Sequence, residues 1–370
     1  MNRIGKLSTD RLADSLEEAI PKLMEEATVP GVAITLVREG TIAWSRAFGV
    51  RNRITQEPVT LDTVFEAASL SKPLFAYVSL KLCDRGILDL DTPVVDYIPE
   101  CCLTIALPTP GDSREKLVID KAQLALVTTR HLLSHTAGYP NWPSKEQPLK
   151  TYFVPGERFA YSGTGYSILQ SIVETVTDQT AIACAQQNVL EPLGMENSRF
   201  VWAGTEDLQV ALGHNEAGTP TEKASWPEMI AGASLHCTAT DFAKFVLAVM
   251  RPSPDNPYHL SSDLTKEMLT PQVKTNDSAT WHVNWPNPET ELFEQVSWGL
   301  GWGIQHLMSD DSFWHWGDNG NYQNFVIGSA EEGAGIVIMT NGKNGKQVYQ
   351  RILRGIIGGE YPSLDWLMSL

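Results

Sequence analysis

The chain has 370 residues, 42% of them hydrophobic, enough to bury a large core in one domain or two sub-domains, and this argues against disorder. Its 28 basic and 44 acidic residues leave a formal charge of −16, which repels phosphate backbones and offers no counterion release, so nucleic acid is set aside as a partner. No stretch approaches the ~18 apolar residues of a membrane span, and the charge-bearing N-terminus carries no signal-peptide core, so a soluble, cytoplasmic protein without a membrane partner is expected.

Residues 10–27 place Leu12, Leu16, Ala19, Ile20 and Leu23 at helical spacing behind the capping candidates Ser8 and Thr9, with Pro21 as a kink. "GVAITLVREGTIAWSRAFGV" (31–50) reads as two strands around a tight turn at Glu39-Gly40. Periodic apolar positions predict helices over 164–176 and 241–250, joined by long Pro-, Asn- and Asp-rich loops. Near the C-terminus, 321–342 repeats the strand-turn-strand pattern and 346–357 is helical. The expected fold is α+β: an antiparallel sheet built from both chain ends with flanking helices, plus a largely helical inserted region. The α/β sub-domain would span about 1–65 and 295–370, and the helical one about 66–294.

Five cysteines, Cys83, Cys101, Cys102, Cys184 and Cys237, form no CxxC pair and read as free, mostly buried thiols. The "GLGWG" run at 299–303 lacks GxGxxG spacing and a βαβ setting, so no cofactor is expected. His131 and His135 stand at i and i+4, but "HLLSH" lacks the glutamate of a zincin, so no metal is expected either.

"FEAASLSKPLFAY" (65–77) puts two serines and a lysine into an otherwise apolar stretch. Pro73 is tolerated only in a first helical turn, which sets a helix start near Ser69, with Leu70, Leu74, Tyr77, Val78 and Leu82 as the buried stripe and Gly86 as the stop. At ~100° per residue Lys72 returns toward Ser69 and diverges from Ser71, so Ser69 is the expected partner of the lysine. Burial and the positive end of the helix both disfavour the ammonium form, bringing a neutral amine able to accept a serine proton within reach of neutral pH. A structural alternative is a Ser69 helix cap with Lys72 reaching to water. By itself S-x-x-K is a short motif that often arises by chance.

Later segments add to it: "RFAYSGTGYSIL" (158–169), "FWHWGDNG" (313–320), "RHLLSHTAGY" (130–139), "EPLGM" (191–195) and "WGLGW" (298–302). With these, in this order, the chain resembles the serine β-lactamase-related family, in the branch that holds class C β-lactamases, D-peptidases and family VIII carboxylesterases. The resemblance implies a β-lactamase/transpeptidase-like fold, with Ser69 as acylated nucleophile, Lys72 assisting its deprotonation and Tyr161 acting with Lys72 as acid and base. It also implies an oxyanion hole from the Ser69 and Asp318 amides, and substrate binding along His315-Trp316-Gly317, where Gly317 lets the strand approach the substrate.

Two departures bear on the substrate. Tyr161-Ser162-Gly163 stands where the family has Y-x-N, which removes at Gly163 the amide that class C β-lactamases use on the acylamino group. His315-Trp316-Gly317 replaces K-T-G, and a histidine carries less charge than a lysine for holding a carboxylate. Trp142, Trp302, Trp314 and Trp316 lie in segments expected to face the cleft, most of them as packing and one or two as pocket lining. No G-x-S-x-G occurs, which excludes an α/β-hydrolase elbow. The leading expectation is a carboxylesterase for short-chain or aryl esters, with weak β-lactamase activity as a companion. A D-aminopeptidase or D,D-peptidase-like amidase is the alternative, and a non-catalytic scaffold the third. The small-molecule ester or amide is the one partner expected, with the loops 139–150 and 252–295 setting specificity.

Overall fold

The computed structural model describes residues 8–98, 102–108, 116–145, 148–202, 209–222, 225–253, 256–276, 292–307 and 310–369. Cys101 and parts of both expected specificity loops lie outside these residues; the other four cysteines are free thiols. Helix α1 (Thr9–Ala27) is capped by the Ser8 hydroxyl, which accepts from the Arg11 amide, and Pro21 lies inside the helix. Strands β1 (Gly31–Arg38) and β2 (Thr41–Asn52) follow as the predicted hairpin. Its turn holds Glu39 at φ 50° and Gly40 at φ 77°, the left-handed pair that a two-residue hairpin demands.

Two short strands, β3 (Glu57–Pro58) and β4 (Phe65–Ala68), lead into helix α2 (Ser71–Asp84). The helical region then holds α3 (Thr129–Leu133), α4 (Gly163–Thr177), α5 (Ala181–Ala185), α6 (Ala239–Met250) and α7 (Ser262–Leu269). It also contains the ribbon of β5 (Cys102–Ala106) with β6 (Lys116–Asp120), and β7 (Leu235–Cys237), which pairs with β4. The chain returns through β8 (Val273–Asn276), β9 (Leu292–Trp298), β10 (Gly303–Leu307), β11 (Asp310–Asp318), β12 (Gln323–Ser329) and β13 (Ala334–Thr340). Helices α8 (Gly345–Arg351) and α9 (Pro362–Ser369) close it.

Nine of these strands form one sheet in the order β3-β2-β1-β13-β12-β11-β10-β9-β8, with every pairing antiparallel. Strands from the two chain ends meet at the β1–β13 pair, where Val32 faces Thr340 and Arg38 faces Ala334. Helices cover both faces, so the central strands are buried throughout rather than alternating with water. Along β1, Val32, Ile34 and Leu36 join the core beneath the terminal helices, while Ala33 and Val37 join the core shared with α2, α4 and α6. That second core continues into the helical region, and β4, which leads into α2, lies against β11.

Candidate active site

The site begins where β4 ends. Ala68 takes a left-handed conformation (φ 53°), a strained state for a residue with a Cβ, and the chain turns through Ser69 and Leu70 before α2 starts at Ser71. Two tight turns carry it: the Leu70 amide donates to the Ala67 carbonyl at 3.1 Å and the Lys72 amide to the Ser69 carbonyl at 3.0 Å. The helix therefore opens two residues later than its sequence predicts, with Pro73 still inside the first turn. Every residue from Ser71 to Leu82 is buried, so the expected one-sided stripe is instead a helix enclosed on all faces. Ser71 locks the turn: its hydroxyl donates to the Ala68 carbonyl at 2.5 Å and accepts the Leu235 amide at 2.9 Å.

Lys72 is 1% exposed, and its Nζ donates to the Ser69 Oγ at 3.0 Å and to the Gly232 carbonyl at 2.7 Å. Burial pushes the amine down to about 7. Tyr161, at the end of the loop before α4, sets its ring centroid 4.7 Å from that Nζ, with the Ser69 side chain near enough to influence its hydroxyl. Burial holds the Tyr161 phenol well above its usual range, so it rests protonated. Ser69 itself is half-buried, the one accessible member of the trio.

His135 packs its ring 4.4 Å from that of Tyr161, and its Nδ1 accepts the Ser162 amide at 3.0 Å. Its one proton therefore sits on Nε2, and burial holds the ring neutral. His131 serves elsewhere, its Nδ1 accepting the Thr128 amide in the capping box of α3. Among the described residues no group of three or more His, Cys, Asp or Glu side chains is arranged to hold a metal ion.

Strand β11 brings His315, Trp316, Gly317 and Asp318 beside this turn, but not in the way the sequence predicts. His315 is wholly buried, its Nδ1–H donates to the Trp316 carbonyl at 2.7 Å, and burial with the nearby Lys72 lowers its pKa to about 3. It is a neutral imidazole in the wall behind the site rather than an exposed donor. Trp316 is 4% exposed, its ring tilted against that of Tyr161 at 4.8 Å inside the core under the terminal helices, with Trp314 beside it. Trp302 is buried too, so of the four tryptophans expected at the cleft only Trp142 keeps an accessible edge. Gly317 serves a close approach to the protein itself: a Cβ there would lie 2.1 Å from the Ala67 carbonyl oxygen. Gly163 is the first residue of α4, and the indole of Trp142 lies over it.

Several groups that position the site carry no short-range signal in the sequence. Asn324 donates to the Glu66 carbonyl at 3.0 Å and accepts the Thr340 amide at 3.1 Å, which ties β12 and β13 to β4. The Glu66 side chain, 3% exposed, accepts from the Asn319 side chain next to Asp318, with Trp226 nearby. Burial drives its carboxyl up to about 7, with Asn319 and Trp226 opposing the rise. Glu66 and Asn319 are 253 residues apart in sequence, and their contact exists only once the sheet has closed.

A large antiparallel sheet between terminal helices and a helical insertion, with a buried lysine bonded to a serine where a strand turns into a helix, is the architecture of serine β-lactamases and penicillin-binding proteins. The chain belongs to the β-lactamase family: the family model described as Beta-lactamase matches residues 16–357. It is 26% identical over 365 residues to Penicillin-binding protein 4 of Amycolatopsis lactamdurans, covering 92% of this chain and 88% of that one. It is 30% identical over 234 residues to Esterase EstB of Burkholderia gladioli, a match covering 55% of each. The fold matches the octameric penicillin-binding protein homologue of Pyrococcus abyssi with a TM-score of 0.72 at 23% identity, over 95% of this chain and 78% of that one. D-alanine carboxypeptidase AmpC of Burkholderia cenocepacia matches with a TM-score of 0.73 at 19% identity, over 95% and 99%. No helix among the described residues is long and apolar enough to cross a membrane.

Proposed function

We propose that this chain is a serine hydrolase that forms an acyl-enzyme on Ser69 and acts on carboxylic esters with short or aryl groups. The observation that carries the reading is the Lys72 amine, drawn down to about 7 by burial and held 3.0 Å from the Ser69 hydroxyl. In its neutral form Lys72 takes the Ser69 proton as the oxygen attacks the ester carbonyl. The carbonyl oxygen becomes an oxyanion held by the Ser69 and Asp318 amides, donors of a kind worth about 3 kcal/mol each in the transition state. Tyr161, a phenol protonated at rest, gives its proton to the departing alcohol and is recharged from the Lys72 ammonium. A water then attacks the acyl-enzyme, losing its proton to the neutral Lys72, and that proton passes to the Ser69 oxygen as the acyl–oxygen bond breaks and the acid leaves.

The choice of esters rests on what faces the nucleophile. His315 is a buried neutral ring, so it offers no fixed cation for a substrate carboxylate, and Gly163 has no side-chain amide for an acylamino group. The likeness to an esterase, 30% over 234 residues, points the same way. The amidase reading stays as the second, favoured by the fold shared with a D-alanine carboxypeptidase. The test is the ratio of kcat/KM for p-nitrophenyl butyrate and D-alanine p-nitroanilide, with Ser69→Ala as blank. Preference for the ester with an inert Ser69→Ala protein is the expected result. Equal or better amide cleavage transfers the assignment to the peptidases, and wild-type turnover by Ser69→Ala removes the serine mechanism.

A further inference from the structure

Gly163 opens α4 directly under an indole. A Cβ built on it would stand 2.2 Å from Cζ2 and 2.3 Å from Cη2 of Trp142, closer than any real side chain tolerates. The same indole has its centroid 5.8 Å from the Lys72 Nζ, which in turn is 3.0 Å from the Ser69 Oγ. Trp142 thus fills the space that a side chain at position 163 would take, within the neighbourhood of the nucleophile.

The loop holding that indole is pinned. The Ser162 hydroxyl donates to the Pro140 carbonyl at 2.9 Å, and the Gly163 amide donates to the Asn141 Oδ1 at 2.8 Å. The Thr164 amide and hydroxyl both donate to the Asn141 carbonyl, at 2.8 and 3.0 Å. Trp142 also packs against two hydrophobic clusters, the large core around α2 and a smaller one holding Trp202, Trp226 and Ile230. A ring held by its own loop, by the first turn of α4 and by two clusters cannot swing aside at small cost.

We propose that Trp142 sets the size of the acyl group accepted at Ser69, its indole closing one side of the pocket to anything bulkier than a short chain. The acyl part is the one concerned because it stays bonded to Ser69 through both half-reactions, after the alcohol has gone. This inference rests on the acyl-enzyme reading of Ser69, and its test separates the two. Two fluorophosphonates, one with a methyl and one with an octyl group on phosphorus, report the size limit through the rate at which they label Ser69, whether or not an ester is the substrate.

Trp142→Ala is expected to raise the octyl-to-methyl labelling ratio by at least about tenfold, the lower end of what a change in hydrophobic pocket volume yields. Trp142→Leu, which keeps part of the wall, should give an intermediate ratio and covers the case in which the alanine variant does not fold. An unchanged ratio in a folded variant overturns the proposal. Gly163→Ala supplies an independent reading: its melting temperature should fall in the wild-type background and recover in Trp142→Leu. An equal fall in both backgrounds also overturns it. Labelling without hydrolysis of either p-nitrophenyl acetate or octanoate defeats the ester reading while the labelling ratio still decides the role of Trp142. No labelling of wild-type Ser69 defeats both.

Discussion

Gly317 lies so close to Ala67 that the strand ending in Asp318 touches the strand leading into Ser69 backbone to backbone, with no room for a methyl group between them. The two amides proposed above as the oxyanion hole would therefore have their spacing set by a glycine that faces the protein and not the substrate. Gly317→Ala should force β11 away from β4. Overpacking of this kind costs about 1–3 kcal/mol, and a displacement near 1 Å costs about 100-fold in rate. A thermal melt and the rate of Ser69 labelling check this together; a variant that labels at the wild-type rate removes Gly317 from any role in the geometry of the site.

Ser71 braces the turn from within. Its hydroxyl bonds the carbonyl of the strained Ala68 and the amide of Leu235, both buried. Ser71→Ala leaves both groups without that partner and should destabilise the fold by about 1–3 kcal/mol. If the turn also depends on it, labelling of Ser69 slows by more than the loss of folded protein explains. Slowing in proportion to that loss alone would make Ser71 a structural residue.

The sequence speaks clearly where chemistry is local. The spacing of Ser69 and Lys72 and the Glu39-Gly40 turn each depend on residues within four positions, and the structure holds them as the pattern predicts. The four tryptophans expected near the cleft, most of them as packing, show where the local pattern stops: three are buried and Trp142 keeps an accessible edge. Trp314 and Trp316 stand two apart on a strand, so they share a face opposite His315, a relation that the period of two makes legible. Which face borders the cleft is not legible, because both faces of this sheet are apolar and covered. Glu66, Asn319 and Trp226 are hidden for a different reason: polar residues scattered over the chain become a cluster only through tertiary contact.

The pH dependence of acylation follows from Lys72. Its amine accepts a proton only when neutral, so the labelling rate should rise about tenfold per pH unit below 7 and level off above it. Lys72→Arg keeps the charge at every accessible pH and should lose about 10²–10⁴ in rate. Glu66 also titrates near 7 and is bonded to the residue after Asp318, so Glu66→Gln is the control. An inflection that survives Glu66→Gln belongs to Lys72, whereas one that vanishes makes Glu66 the titrating group.

The same two groups act on folding stability in opposite windows. Glu66 titrates near 4.5 when free and about 7 in the fold, so between these values the folded chain holds a proton that the unfolded chain has lost. Stability then falls as pH rises through that window. Lys72 titrates near 10.5 when free and about 7 in the fold, so above 7 the unfolded chain holds the extra proton and stability rises again toward 10.5. Each group contributes about 1 kcal/mol per pH unit inside its window, giving these two together a minimum near neutrality. Urea denaturation across pH 5–10 measures it directly. Glu66→Gln should remove the decline on the acid side and Lys72→Met the rise on the alkaline side, each leaving the other limb in place. A pH-independent difference between wild type and Glu66→Gln from 5 to 7 would show that this carboxyl is not titrating in the fold.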